Sequence, residues 1–216
     1  MPDLSFEIES TKPLAYAAIP TISFRLRIVN GQAGEKIHSI SLRSQILIEP
    51  AQRSYTPEDQ KNLRDLFDTP ERWGQTLRNM LWTHVSSVVP GFDGQTAVDL
   101  QVPCSFDFNV GATKYFYGLT EGDIPLVFQF SGSIFYENGH RTLSVAPVSW
   151  DKEAKYRLPI EVWRDTLEMN YPNSAWLCLR RDAFDRLYQH KVRNGIPTWE
   201  EAIERIFSSL EENVTL

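Results

Sequence analysis

The sequence predicts an α+β fold, with an antiparallel β-sheet or β-sandwich, a mid-chain helical insertion and C-terminal helices packed against the sheet. Apolar and polar residues alternate before residue 50 and again after residue 95. Apolar residues recur at helical spacing between residues 56 and 88, and helical spacing returns in the last third. We expect one domain over residues 1–216, with mainly strands in 1–50 and 95–149, the helical insertion in 51–91 and a mainly helical part in 150–216.

The first strands are predicted at residues 22–28 and 40–48. Both segments alternate Ile, Leu or Phe with Ser, Arg or Gln, the pattern of a strand with one buried face. Asn30, Gly31 and Gly34 supply turn residues between the two segments. We therefore predict a long hairpin whose outer face lies in water.

The helical insertion is predicted to begin at Thr56-Pro57-Glu58-Asp59, because Thr is a good N-cap, Pro suits the first turn and acids favour the helix start. A second helix is predicted from Thr69, since the apolar residues after it form one stripe: Trp73, Leu77, Met80, Leu81 and Val88. His84 lies on the apolar side of this helix, so we interpret it as a core histidine.

Strands are predicted to resume at residue 97. Phe106, Phe108 and Val110 share one strand phase, and residues 115–119 follow the opposite phase. The change of phase predicts a β-bulge at Gly111-Ala112.

The stretch "GLTEGDIPLVFQFSGSIFYENG", residues 118–139, is either the floor of a ligand site or a core strand. Phe128 and Phe130 alternate with Gln129 and Ser131, which favours the core strand. Gly132 is expected to let another part of the chain approach closely.

The last third predicts three helices and a strand. "LPIEVWRDTLEMNYP" has the pattern of a short amphipathic helix, and "SAWLCLRR" has the pattern of a strand. One further helix is expected to end at Gly195, and the final one to open at Thr198.

Charge and hydropathy exclude several classes of protein. The net charge of −6 argues against non-specific nucleic-acid binding, which needs a dominant basic surface. No apolar run approaches the roughly 20 residues that span a bilayer. The first residues, "MPDLSFEIES", have neither the basic start nor the apolar run of a signal peptide, so we expect a cytoplasmic protein. Cys104 and Cys178 are then expected to be thiols.

No catalytic or cofactor motif stands out. The sequence has no GxSxG, GxxxxGK, GxGxxG or CxxC motif, and its four histidines have no ligand spacing. The paired carboxylates lie near predicted helix ends, where capping and the helix dipole explain them. We therefore expect no catalytic residues, no metal and no cofactor.

Arginines provide the candidate binding residues. Arg25 and Arg27 project from the outer face of the first predicted strand and Arg43 from that of the second, so a hairpin would place all three on one surface. A second basic cluster, in "RRDAFDRLYQHKVR", contains Arg180, Arg181 and Arg186. Two interpretations stay open: a solvated face with internal salt bridges, or a docking site for carboxylate or phosphate groups.

Four phrases carry a family resemblance: "RSYTPEDQKNLRDLFDTPERWGQTLRNMLW", "VDLQVPCSFDFNV", "GDIPLVFQFSGSIFY" and "YRLPIEVWRDTL". They are similar to an uncharacterised bacterial family, catalogued as a domain of unknown function, over nearly the whole chain. Some members are encoded beside nickel–iron hydrogenase genes, near Rieske-type and NifU-like proteins. The resemblance implies an accessory or assembly role and a hydrogenase-associated protein partner, although gene neighbourhood is not a mechanism. It brings no catalytic residues.

We therefore expect a non-catalytic accessory or binding protein that recognises a protein partner, with an acidic surface, in the assembly of a redox metalloenzyme. The alternative is a small-molecule binding protein or a hydrolase, with a pocket between the sheet and the C-terminal helices. A deep closed pocket favours the alternative, and a flat arginine-bearing surface favours the binding protein.

Overall fold

The computed structural model describes residues 2–32, 35–104, 110–175 and 177–214. The chain divides into two compact units, residues 1–174 and residues 175–216. The described strands are β1 (Leu4–Pro13), β2 (Thr21–Asn30), β3 (Ile37–Ile48), β4 (Met80–Phe92), β5 (Gln95–Pro103), β6 (Asp123–Glu137), β7 (Leu143–Pro147) and β8 (Glu153–Pro159). The described α-helices are α1 (Pro57–Asn62), α2 (Arg64–Phe67), α3 (Trp73–Thr76), α4 (Val110–Gly118), α5 (Ile160–Asn170), α6 (Arg181–Arg193) and α7 (Trp199–Val214).

The strands form two antiparallel sheets that pack face to face. Sheet A has the order β1-β2-β5, and sheet B has the order β4-β3-β6, with β7 and β8 paired to β6. Phe24 of β2 lies 5.2 Å from Phe128 of β6 between ring centroids, and Phe6 of β1 stacks on Phe130 of β6 at 4.3 Å. The apolar faces of both sheets therefore form one shared core, which confirms the predicted α+β class and its β-sandwich.

The predicted hairpin of the first two alternating segments is wrong, although both segments are strands. β2 pairs with β1 and β5, whereas β3 pairs with β4 and β6. Each of the two strands has a neighbour on both sides, and its apolar face contributes to the shared core. A two-residue period shows that a strand has a buried face but does not identify its neighbours.

The second predicted helix of the insertion is also wrong beyond Thr76, since residues 80–92 form β4. Thr83, Val85, Val88 and Val89 are β-branched and suit a strand. The strand pairs with β3 along most of its length and buries three side chains in the core: Trp82, Val89 and Phe92. His84 lies exposed on the outer face, with Nε2 3.3 Å from Gln45 Oε1, so it is not a core histidine.

The segment after β5 is helical where a strand was predicted. Residues 110–118 form α4, so the predicted bulge at Gly111-Ala112 does not exist. Ala112, Tyr115, Phe116 and Leu119 are buried, and their spacing of three, one and three residues is that of one helix face. Phe106 and Phe108, which suggested the strand, lie outside the described residues.

β6 confirms the core-strand interpretation of the stretch at 118–139. Phe128 and Phe130 are buried, while Gln129 and Ser131 are exposed. Gly132 has φ +143°, and a Cβ at this position would lie 2.0 Å from the backbone oxygen of Ser41 on β3. A side chain here would collide with the neighbouring strand, which is the close approach that the glycine predicted.

The predicted helix at 158–172 is α5, which packs against β1 and β2 and buries Ile160 and Trp163. The strand β8, which leads into it, was not predicted. The predicted strand "SAWLCLRR" is wrong, because residues 177–180 have no regular structure and Arg181 begins α6. The last two predicted helices are present as α6 and α7.

Candidate protein-binding surfaces

The three arginines predicted to share a surface lie on opposite sides of the sandwich. Arg25 and Arg27 project from the outer face of β2 in sheet A, and Arg43 projects from the outer face of β3 in sheet B. Because the inner faces of the two sheets pack on each other, their outer faces point away from each other. The prediction of one common surface is therefore wrong, because it depended on the predicted hairpin, which the structure does not contain.

Arg25 and Arg27 already have acidic partners within sheet A. Arg25 lies directly opposite Asp99 of β5, with Nη1 3.2 Å from Oδ1. Arg27 lies directly opposite Glu7 of β1, with Nη1 3.4 Å from Oε2, and its Nη2 donates to Gln95 Oε1 at 3.0 Å. These exposed cross-strand pairs form a ladder of mixed charge, in which each pair adds about 0.2–1 kcal/mol.

Arg43 has a different environment. Its direct neighbours across the strands are Ser86 of β4 and Ser131 of β6. The next outward positions on these three strands carry no acidic side chain: Ser41, Gln45, His84, Val88, Gln129 and Ser133. Within the described part of the chain no acidic side chain forms an ion pair with Arg43, which is exposed. We call this surface, defined by Arg43, Ser86 and Ser131, the Arg43 face.

The second predicted cluster lies in the helical unit, residues 175–216. Arg180 precedes α6 and pairs with Asp182 at 3.3 Å, with both side chains largely exposed. Arg181 is the first residue of α6. Arg186 borders a shallow depression of about 610 Å³ along the same helix. The basic helix that the sequence predicts is therefore present, and Arg181 and Arg186 are exposed on it.

Sequence reasoning missed a second feature of this unit, its exposed apolar side chains. The six are 36% to 59% exposed, and we call them the apolar stripe: Phe184, Tyr188 and Val192 of α6 with Ile203, Phe207 and Leu210 of α7. The spacing of the α7 residues is visible in the sequence, where such a face is typical of a helix packed against a core. In the structure Ala202 is buried, whereas the three α7 members of the stripe are not.

A buried ion pair connects the start of the helical insertion to the loop before β6. Asp59 is fully buried, and its Oδ2 lies 3.4 Å from Nη2 of Arg53, whose side chain is 8% exposed. Thr120 donates to Asp59 Oδ1 through its backbone N–H at 2.7 Å and through its hydroxyl at 2.8 Å. The Thr56 N–H donates to Oδ2 at 3.1 Å, and Asp59 N–H donates back to the Thr56 hydroxyl. This is a capping box whose acid also ties down a distant loop.

The ionised form of Asp59 is stabilised despite its burial. Burial raises the pKa of its carboxyl group, but the two hydrogen bonds from Thr120, the Thr56 N–H and the Arg53 guanidinium outweigh this effect. The pKa therefore lies below its ordinary value. Arg53 also donates to the backbone oxygens of Glu121 and Asp123, both at 3.0 Å, so its hydrogen-bonding capacity is used within the fold.

Two tyrosines extend this network into the core. Tyr55 and Tyr115 place their hydroxyl oxygens 2.8 Å apart, and Tyr55 donates to the Pro50 backbone oxygen at 2.7 Å. Burial raises the pKa of both phenols, so both stay neutral. An open cleft of about 810 Å³ lies beside Arg53, Tyr55 and Arg157. Arg157 donates to the Gln52 backbone oxygen at 3.0 Å, so both arginines of the cleft bind protein carbonyls.

Among the described residues, no group of three or more His, Cys, Asp and Glu side chains is arranged to hold a metal ion. Over the same residues, no helix combines the length and the apolarity needed to cross a bilayer. Cys104 and Cys178 are free thiols, and burial raises the pKa of Cys104 to about 12.

Comparison with known families gives one match over almost the full length. The model of the family of unknown function DUF6084 matches residues 1–215. The chain belongs to this family. Its resemblance to a domain of unknown function is therefore confirmed, while a search of curated proteins gives no match.

Solved structures resemble this DUF6084 protein only distantly. A candidate late embryogenesis abundant (LEA) protein has 12% identity and a TM-score of 0.32, with 74% of this chain and 73% of that chain covered. A candidate ApaA protein from Bordetella pertussis has 10% identity and a TM-score of 0.24, covering 73% and 93%. Beta-glucosidase 3B from Thermotoga neapolitana, in complex with α-D-glucose, has 13% identity and a TM-score of 0.23, covering 72% and 17%.

The DUF6084 protein thus combines a buried ion pair that is satisfied within the fold with two surfaces that present unpaired groups to solvent. The buried charges of Arg53 and Asp59 hold loops together and have their partners inside the fold. The Arg43 face presents a guanidinium without an acidic partner among the described residues. The apolar stripe presents hydrocarbon surface to solvent.

Proposed function

We propose that this protein is a non-catalytic binding or accessory protein, and that the Arg43 face binds a carboxylate-bearing segment of a protein partner. The observation that carries the proposal is the isolated guanidinium of Arg43 between Ser86 and Ser131. A guanidinium offers planar, bidentate donors that match the geometry of a carboxylate. Short serine side chains on both sides leave those donors accessible to a partner.

The rigidity of the surroundings also supports a binding role. Arg43 lies on an inner strand of sheet B, with a hydrogen-bonded neighbour on each side. The strand fixes the backbone of Arg43 more precisely than a loop would, so that the entropy lost on binding comes from the side chain alone. Arg25 and Arg27 support docking less well, because a partner would have to compete with Asp99 and Glu7.

The finer parts of the proposal rest on the family resemblance. Members encoded beside nickel–iron hydrogenase genes in bacteria support a role in redox-metalloenzyme assembly, with a hydrogenase-associated protein as the partner. The cytoplasmic location is part of the same proposal. The alternative, a small-molecule binding protein or hydrolase, gains no support from the cleft beside Arg53, where both arginines already bind protein carbonyls.

The proposal is tested by site-specific photocross-linking in the native host, followed by binding measurements. A photoreactive amino acid replaces Ser131 on the Arg43 face, and a matched control replaces Gln101, which is exposed on sheet A. We expect a protein to be captured at residue 131 and not at residue 101. Equal capture at both positions, or no capture at residue 131, contradicts the proposal.

The captured protein is then purified, and its affinity is measured against single variants. Arg43→Glu should weaken binding by about 10- to 100-fold, since a hydrogen bond to a charged group contributes about 1.5–3 kcal/mol. Arg25→Glu makes the same charge change on the opposite face and should leave the affinity unchanged. Equal affinities of the two variants would show that the Arg43 guanidinium does not bind the partner.

A further inference from the structure

The helical unit buries too little of its own apolar surface. Phe184 and Tyr188 of α6 pack on Trp199 of α7, with ring centroids 5.4 Å and 6.2 Å apart, and Ala202 is buried. The apolar stripe remains exposed beside this contact. A unit of about 40 residues rarely has a sufficient core of its own, and oligomerisation is one common remedy.

The apolar stripe has one half on α6 and one half on α7. Successive members lie three or four residues apart on each helix, so they share one side of it. Trp199 precedes Ile203 by four residues and contacts both aromatic residues of α6, which joins the two halves of the stripe. Two such hairpins can close into a four-helix bundle with all stripes inside.

We propose that the apolar stripe packs against the apolar stripe of a second copy of this chain, with α6 of one copy beside α7 of the other. The proposal concerns a surface separate from the Arg43 face and does not depend on the binding function proposed above. It rests on the charges of the two helices and on the area of the stripe.

The charges of α6 and α7 are complementary. α7 has an acidic ridge beside the stripe. Each member of the ridge follows a Trp, Ile or Leu of the apolar side by one position: Glu200, Glu204 and Glu211. α6 has an excess of basic residues, with four against two acids: Arg181, Arg186, Lys191 and Arg193 against Asp182 and Asp185. In a two-fold symmetric dimer with α6 of each copy beside α7 of the other, a basic helix lies beside an acidic ridge at two equivalent contacts. A pair with α7 beside α7 joins two acidic ridges and is disfavoured.

The apolar area is sufficient for a pair of chains. The stripe contains three aromatic and three aliphatic side chains, all between 36% and 59% exposed. With aromatic side chains of 150–250 Å² as a guide, the exposed part amounts to roughly 500 Å² per copy. Two copies then bury about 1,000 Å² of apolar side chain, which reaches the lower range of specific interfaces.

The test measures self-association of the full chain by sedimentation equilibrium, from low to high micromolar concentration. We expect a monomer–dimer equilibrium that Tyr188→Ser with Phe207→Ser shifts to monomer. Because Tyr188 also packs on Trp199, far-UV circular dichroism of the variant is compared with wild type, and loss of the dimer is assigned to the stripe when the helix content is the same. A monomer at every concentration overturns the proposal, and leaves a different protein or a membrane as the occupant to be tested.

A charge-swap pair identifies the arrangement. Arg186→Glu with Arg193→Glu makes α6 acidic, and Glu204→Arg with Glu211→Arg makes α7 basic. Each variant alone should dimerise about tenfold or more weakly, whereas an equal mixture should form heterodimers, because both helix pairs then join opposite charges. Lys12→Glu with Lys36→Glu makes the same charge change as the α6 variant at exposed residues of the other unit and should not weaken the dimer. A mixture that associates no better than its components overturns the proposed pairing.

Discussion

The guanidinium of Arg53 and the carboxylate of Asp59 lie 3.4 Å apart, and both side chains are almost completely buried. The pair holds three segments together, since Arg53 also binds the backbone of residues 121 and 123 while Asp59 binds Thr120. A buried pair adds little net stability when both partners are present, because desolvating the two charges is costly. Removing one partner destabilises the fold, because the charge of the other partner then stays buried without compensation.

Asp59→Ala is therefore expected to destabilise the fold by about 3–5 kcal/mol, the usual cost of an uncompensated buried charge. Urea unfolding followed by tryptophan fluorescence measures the loss. Asp65→Ala is the control, because Asp65 pairs with Lys114 at the surface and its removal should cost at most about 1 kcal/mol. Equal midpoints for the two variants would show that the Arg53–Asp59 pair does not hold the loops.

The same carboxylate predicts acid sensitivity. The pKa of Asp59 is lower in the folded protein than in the unfolded chain, where Asp titrates at about 3.9. The unfolded chain then binds more protons as the pH falls, so the stabilisation is complete above about pH 4 and is lost as the pH falls through the lower folded value.

The contribution of Asp59 is isolated by comparison with Asp59→Asn. Hydrogen bonds involving Thr69 or Ser149 lower the pKa of Asp68, Glu71 and Asp151 as well, so wild-type protein alone cannot assign the effect. Urea midpoints measured between pH 3 and pH 6 should fall more steeply for wild type than for the variant, with the two curves converging at low pH. Parallel curves would contradict a lowered pKa at Asp59.

The core of the sandwich gives a prediction about stability at Phe130. This ring stacks on Phe6 at 4.3 Å between centroids and so joins sheet B to sheet A. Phe130→Ala should cost about 3–5 kcal/mol, the typical loss for a buried phenylalanine. Gln129→Ala, an exposed change on the same strand, should stay within about 0.5 kcal/mol of wild type. A thermal melt of Phe130→Ala that matches wild type would refute the core position.

Local pattern was enough to predict β2, β3, β6 and the start of α1. Each of these three strands alternates bulky apolar with polar residues, and the α1 start combines Thr56, Pro57 and Asp59 in positions that cap a helix. The structure confirms Thr56 as the N-cap and the buried faces, and shows in addition that Asp59 completes a capping box. These features depend on neighbours in sequence, which is why a single sequence reveals them.

Strand pairing, and contacts between side chains far apart in sequence, could not be predicted from local pattern. The apolar residues from Trp73 to Val88 predicted a helix, but the chain from Met80 pairs with β3 and exposes Leu81 and Val88. Arg53 and Asp59 meet Thr120 and Asp123 about 60 residues away, and no local signal marks that contact. The exposure of Arg43 was predicted, but its separation from Arg25 depended on which strands pair.

The strand pairing itself predicts how charge reversal affects stability on the two outer faces. Arg25→Glu with Arg27→Glu places two acids directly opposite Asp99 and Glu7, and should lower the free energy of unfolding by about 1–2 kcal/mol, since lost cross-strand attraction is replaced by repulsion. Arg43→Glu has only serine neighbours and should change it by at most about 0.5 kcal/mol. Urea unfolding of both variants at low and high salt measures the difference, which should shrink in high salt because exposed charges are screened. Equal stability of the two variants at low salt would contradict this strand pairing. It would favour the hairpin of residues 22–28 and 40–48, in which all three arginines lie in one sheet and have equivalent neighbours.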